Sequence, residues 1–162
     1  MMSKKMEEAI NEQINKEFYS AYLYLAMAAK AESINLKGTA QWLKVQYREE
    51  LGHGMKFYEF MNDRGSKVVV KAIEQPPVEF ASVLDIFQQT LEHERKVTAL
   101  INALYDLAVK DRDYAAMVEL QWFINEQVEE EKNATEIVET LKMVGDKGAG
   151  LVMLDRELGK RE

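Results

Sequence analysis

The chain has 162 residues, enough for one domain with a substantial core but too few for two. Hydrophobic residues make up 47 % and charged residues 30 %, and the net charge of −7 argues against a nucleic-acid or anionic-membrane surface while leaving room for cationic partners. With no cysteine, disulfides, thiolate metal sites and iron–sulfur clusters are excluded. The polar start runs straight into an amphipathic pattern, so the expectation is a cytoplasmic protein without signal peptide or membrane span.

The spacing predicts a first helix from about Ser3, a suitable N-cap, to about Ala31. Ser3 and Glu7 stand one residue too far apart for a capping box. Its inner stripe reads Ile10, Ile14, Glu17, Ala21, Tyr24 and Ala28, a single carboxylate among apolar neighbours. A short connection then predicts a second, antiparallel helix over about Gly38 to Arg64. Its stripe, Ala40, Leu43, Tyr47, Glu50, Gly54, Phe57 and Met61, again carries one carboxylate at its centre.

Gly65 sits where a helix closes with a left-handed residue. Between Ser66 and Ser82 the pattern changes to Val68-Val69-Val70 and then Pro76-Pro77, which predicts a surface loop with room for one short strand. Some ~17 residues at ~3.3 Å each reach ~55 Å, longer than a ~40 Å helix. Such a loop carries the chain back along a bundle and makes the second and third helices parallel.

The third helix, about Ser82 to Lys110, presents Leu84, Phe87, Leu91, Glu94, Thr98, Ile101, Tyr105 and Ala108. A polar turn at Asp111 to Asp113 leads into a fourth helix ending near Val144, with Leu120, Phe123, Gln127, Glu130, Ala134, Ile137, Leu141 and Val144 on its stripe. Beyond a glycine hinge, Leu151, Val152, Met153, Leu154 and Leu158 predict a short fifth helix. The fold class is therefore all-α, a four-helix bundle with one long crossover and a short C-terminal helix.

Glu17 and Glu50 are balanced about the first turn, and Glu94 and Glu130 about Arg112 in the last one, so each pair lies level across its hairpin. If the crossover aligns the two hairpins, four acids converge inside the bundle. Glu50 and His53 stand three apart on one helix face and can grip one metal ion together. A lone stripe glutamate is more often a rim residue reaching water, and a lone histidine is more often structural. Four level acids with a histidine beside one of them are not explained that way. Without a cation, their repulsion adds to a desolvation cost of several kcal/mol per ion. Oxygen-rich ligation with one imidazole suits iron, manganese or zinc, and four carboxylates can neutralise two divalent ions.

The segments Asn15-Lys16-Glu17-Phe18-Tyr19-Ser20, Glu49-Glu50-Leu51-Gly52-His53, His93-Glu94 and Asn125-Glu126-Gln127-Val128-Glu129-Glu130-Glu131 together resemble the bacterial non-haem ferritins, ferritin-like di-iron proteins, along essentially the full chain. The resemblance implies a homo-oligomeric cage of twenty-four subunits that oxidises Fe(II) with O2 or H2O2 and stores a ferric mineral. It implies a first iron held by Glu17, Glu50 and His53, and a second held by Glu94, Glu130 and shared Glu50. Symmetric di-iron bundles carry Glu-x-x-His twice, whereas the second place here reads Gln127-x-x-Glu130, so the second iron lacks an imidazole. An all-oxygen second site suits iron as a substrate that leaves after oxidation.

By the same resemblance, Gln127 orients the site or ligates weakly, and Glu49, Glu126 and Glu129 match a third iron site that could equally be a solvated acidic face. Tyr24 is similar to the family's redox-active tyrosine, and Trp122 is a further candidate. Bacterioferritin-like proteins ligate haem through a methionine where this chain has Leu51, so no haem is expected. Met117 and Leu120 occupy places that are acidic at the three-fold opening of animal ferritins, which argues against an acidic iron route there. Two competing functions remain: a small di-iron oxidase or peroxide scavenger without a mineral, and a helical scaffold with solvated acids.

Overall fold

Three of the helices begin where a short polar side chain takes a free backbone N–H. Ser3 accepts from Met6 N, Ser82 from Asp85 N and Asp113 from Ala116 N, at 3.0–3.1 Å. The computed structural model describes residues 2–162. Its helices are α1 (Lys4–Ser33), α2 (Lys37–Asp63), α3 (Val83–Asp111), α4 (Tyr114–Val144) and α5 (Ala149–Leu158). Among the described residues no helix is long and apolar enough to cross a membrane.

Two apolar clusters fill the bundle, one at each end. One joins the C-terminal half of α1 (Leu23 to Ala31), the start of α2 (Ala40, Trp42, Leu43), the start of α3 (Val83, Ile86, Phe87) and the end of α4 (Ile137, Val138, Leu141). The other joins Met6, Ile10 and Ile14 of α1, Phe57 and Met61 of α2, Val97 to Ala108 of α3, and Ala116 to Phe123 of α4. The starts of α2 and α3 thus share one end, so these two helices run parallel and α1 and α4 run the other way. The long crossover produces the expected topology. Leu120 is buried inside the second cluster and Met117 packs against it, so Leu120 serves the core.

The crossover forms no strand. Among the described residues no other strand lies beside it; Asn11 of α1 holds it instead, donating to Lys67 O at 2.9 Å and accepting from Val69 N at 2.7 Å. Val68 packs against the core while Val70 faces outward. After Gly145 and Gly148, both at positive φ, α5 turns back onto α2. There Asp155 accepts from Gly38 N (3.1 Å) and Thr39 N (2.7 Å), capping a helix whose own N-cap position, Leu36, offers no side-chain acceptor. A Cβ on Gly38 would lie 1.6 Å from the Asp155 carbonyl oxygen, so α5 approaches α2 backbone to backbone.

Candidate metal centre

Between the two apolar clusters the bundle has a polar seam one to two turns deep, and all four stripe glutamates lie in it. Glu17, Glu50, Glu94 and Glu130 expose only 1–3 % of their surface, and His53, Gln127 and Tyr24 are buried with them. Each long helix contributes one acid, because in each sequence the acid interrupts an apolar stripe between residues of opposite end clusters.

Glu17, Glu50 and His53 converge: one ligand atom from each lies within 4.8 Å of the others. Donors around one ion at ~2.0–2.2 Å lie within ~4.4 Å of each other, so this spacing is of the size that one ion needs. Gly54 permits the approach of α1 here. A Cβ on it would meet the Phe18 ring at 2.6 Å, next to Glu17. His53 Nδ1 is 3.5 Å from Glu50 Oε2. That oxygen is the one buried side-chain polar atom, among the described residues, without a hydrogen-bond partner. Leaving such an acceptor unmet costs about 1–3 kcal/mol. A cation is the partner this donor set fits.

Glu94 and Glu130 stand opposite and are held by neutral donors. The Tyr24 hydroxyl donates to Glu94, and Gln127 Nε2 donates to the Glu94 carboxylate (3.1 Å) and its backbone carbonyl (3.2 Å). Gln46 Nε2 donates to Glu130 Oε2 at 2.7 Å, and Gln13 Nε2 to Glu17 Oε1 at 2.7 Å. Gln127 thus meets Glu94 through its amide nitrogen.

The electrostatics record what four buried acids cost one another. Burial, then the charge of Glu50, pushes Glu17 well above the ordinary carboxylate range. Burial, then Glu94 and Glu130, does the same to Glu50. Glu94 is raised mainly by burial, and Glu130 is pushed up to about 8 by burial and by Glu94. Tyr24 is raised by burial and then by Glu94. Burial and mutual repulsion thus disfavour the charged forms of these acids, and a divalent cation binding among them competes with protons.

The outer acids are not gathered. Glu126 Oε1 lies 3.9 Å from His53 Nε2, Glu49 Oε2 accepts from Arg161 at 2.5 Å, and Glu129 is exposed. Trp122 packs edge-on against His53 with centroids 5.4 Å apart, under the Lys56 ammonium at 4.9 Å. His93, beside Glu94, points away from the acids. It bonds Ser20 Oγ at 2.7 Å and packs edge-on against Tyr24, and burial, then Lys96 and Lys16, lowers it to about 4. It is a neutral packing partner behind the tyrosine.

Sequence reading missed Gln13, Gln46 and Arg161. A signal for the first two exists: each stands four residues before a stripe glutamate, on the same helix face. Arg161 has none, being 31 residues beyond Glu130 in a terminal segment.

The chain is 41 % identical over 161 residues to a bacterial non-heme ferritin of Staphylococcus saprophyticus, covering 99 % of this chain and 96 % of the relative. It is 38 % identical to one of Staphylococcus aureus, over 99 % of this chain and 97 % of that one. Among solved structures, an open pore ferritin of the hyperthermophilic archaeon Archaeoglobus fulgidus superposes with a TM-score of 0.99 at 47 % identity, over 100 % of both chains. The form of that ferritin engineered to be closed superposes at 0.98 with 48 % identity, covering 100 % of this chain and 99 % of that one. With a ferritin-like domain matched across residues 7–144, this chain belongs to the ferritin family.

Proposed function

We propose that the chain is an iron-storage protein with ferroxidase activity, working in the cytoplasm as a twenty-four-subunit cage. Two Fe(II) ions bind as substrate in the seam, one against Glu17, Glu50 and His53, the other against Glu94, Glu130 and the shared Glu50. Each gives up one electron. The pair reduces one O2 with two protons to H2O2, or one H2O2 with two protons to water. The Fe(III) then leaves for the cavity and mineralises. The acids neutralise the ions and fix their separation; the redox chemistry belongs to the metal.

The observation that carries this reading is the unpartnered Glu50 Oε2, buried between His53 and three other carboxyls. A scaffold with solvated acids has no use for it. The second, imidazole-free position favours iron that passes through over iron that stays. The relatives' names, bacterial non-heme ferritins, support storage, as does full-length similarity to ferritins. Glu49, Glu126 and Glu129 serve as a third, outer iron position only if they move together, and Tyr24 supplies a further electron only while its hydroxyl stays on Glu94.

Size-exclusion mass, iron retained per subunit and the initial rate of Fe(II) oxidation test the reading together. Wild type should elute as a large cage, retain far more than two irons per subunit and oxidise Fe(II) rapidly. Glu50→Ala and His53→Ala should assemble normally and oxidise at least about tenfold more slowly. A small oligomer that keeps two irons and forms no mineral supports a di-iron oxidase or peroxide scavenger instead. Unchanged rates in both variants refute the site.

A further inference from the structure

Beyond the acids and their amide partners, one cation reaches the seam from outside the bundle. After α5, the chain folds over itself through Lys160 N to Glu157 O and Arg161 N to Leu158 O. The Arg161 carbonyl accepts from Gln41 Nε2 at 3.2 Å. Its guanidinium lies over the Trp42 ring, 4.5 Å from the centroid. One nitrogen donates to Glu49 Oε2 at 2.5 Å and the other to Gln46 Oε1 at 2.8 Å. The Asp155 cap and the backbone contact at Gly38 fix where this segment lies on α2.

The chemistry of the fork has a consequence for Glu130. A guanidinium only donates, so the Gln46 atom that it meets must be the amide oxygen. The NH2 end of Gln46 then faces the interior, where it meets Glu130 Oε2 at 2.7 Å. Turned over, the fully buried Gln46 would set its oxygen against a carboxylate oxygen and its NH2 against Arg161, losing two hydrogen bonds. Glu49 and Trp42 hold the guanidinium; Gln46 passes its orientation on.

We propose that Arg161 is a positioning residue for the second metal position: by fixing the Gln46 amide it holds Glu130 in place to receive a cation. This rests on the two-metal reading above. It makes the C-terminal segment a part of the centre although no residue of it touches a ligand of the two inner positions. The first position is built from Glu17, Glu50 and His53 on α1 and α2; none of these accepts a hydrogen bond from Arg161, and it has only Glu50 in common with the second.

Calorimetric Zn(II) titration of the assembled apo-protein tests this without turnover. Wild type should take two Zn(II) per subunit in distinguishable steps. Gln46→Leu should weaken the second step about tenfold, as loss of a ligand's hydrogen-bond partner does, and leave the first within about twofold. Arg161→Ala should weaken the second step at least about threefold. Arg161→Lys, which keeps the charge but cannot hold two partners in one planar fork, should fall between Arg161→Ala and wild type. The double variant should bind much less weakly than the product of the two single losses, because both changes break the amide path and only the direct field of the Arg161 charge acts separately. Additive losses, or a second step unchanged in Arg161→Ala, overturn the role of Arg161 while leaving two metals per subunit. A single Zn(II) per wild-type subunit overturns the two-metal reading and the inference with it.

Discussion

The clearest physical signature of this centre is that it weakens the fold that carries it until a metal arrives, and Glu130→Gln isolates the effect. Glu130 moves from 4.5 to about 8 on folding. A carboxyl raised in this way binds more protons folded than unfolded, so its protonated form favours the fold. Stability is therefore intact below about pH 4.5 and falls as pH rises toward 8. At about 1.4 kcal/mol per pH unit, the gap limits the penalty to about 5 kcal/mol, with about 3 kcal/mol already lost at pH 7. Gln is nearly isosteric, its oxygen can still accept from Gln46, and it cannot ionise. It also removes one of the charges that, after burial and Glu94, raise Glu50.

Thermal unfolding of the apo-proteins at matched concentration should show wild type and Glu130→Gln nearly equal at pH 5. At pH 7 the variant should melt about 6–12 °C higher, from about 2–4 °C per kcal/mol for a chain of this size. Zn(II) should reverse the order, because a ligand at a hundred times its dissociation constant adds about 2.7 kcal/mol and the variant lacks an anionic oxygen to hold it. A difference in melting temperature that is the same at pH 5 and pH 7, or a variant less stable throughout, would refute the argument that repulsion and burial raise these acids.

Three further outcomes follow from contacts outside the seam. Asp155→Ala removes the only side-chain cap of α2 and should cost about 1–2 kcal/mol, with faster amide exchange at Gly38 and Thr39 and unchanged Fe(II) oxidation. Asn11→Ala frees Lys67 O and Val69 N and should accelerate proteolysis within 66–82, visible by mass spectrometry, while the bundle melts about 1–2 kcal/mol less stable. Gly54→Val drives a branched side chain into the Phe18 ring beside Glu17. It should cost about 1–3 kcal/mol in a denaturant titration and weaken the first Zn(II), and Phe18→Leu should restore part of both.

The helices, their order and the identity of the inner acids could be read from residue spacing alone. A carboxylate inside an apolar stripe contradicts the pattern locally, and the same contradiction recurs in four helices at matched distances from the turns. A period of 3.6 residues and a loop length are local quantities, so they survive being read one segment at a time. Ser3 as a cap and Gly65 as a helix end were legible for the same reason, whereas the capping roles of Ser82 and Asp113 came from the structure.

Which of those acids meet, and what holds each of them, emerged from the packing of the helices. Glu17, Glu50 and His53 close on one another where α1 and α2 approach at Gly54, whereas Glu94 accepts from Tyr24 and Gln127 and Glu130 accepts from Gln46. The fold also gave Glu49 to Arg161 rather than to the outer acids, and seated the crossover on Asn11 with no strand to pair. These are contacts between residues some 30 to 115 positions apart. A side chain's hydrogen-bond partner depends on distance and angle in the folded molecule, and no spacing along one chain encodes that.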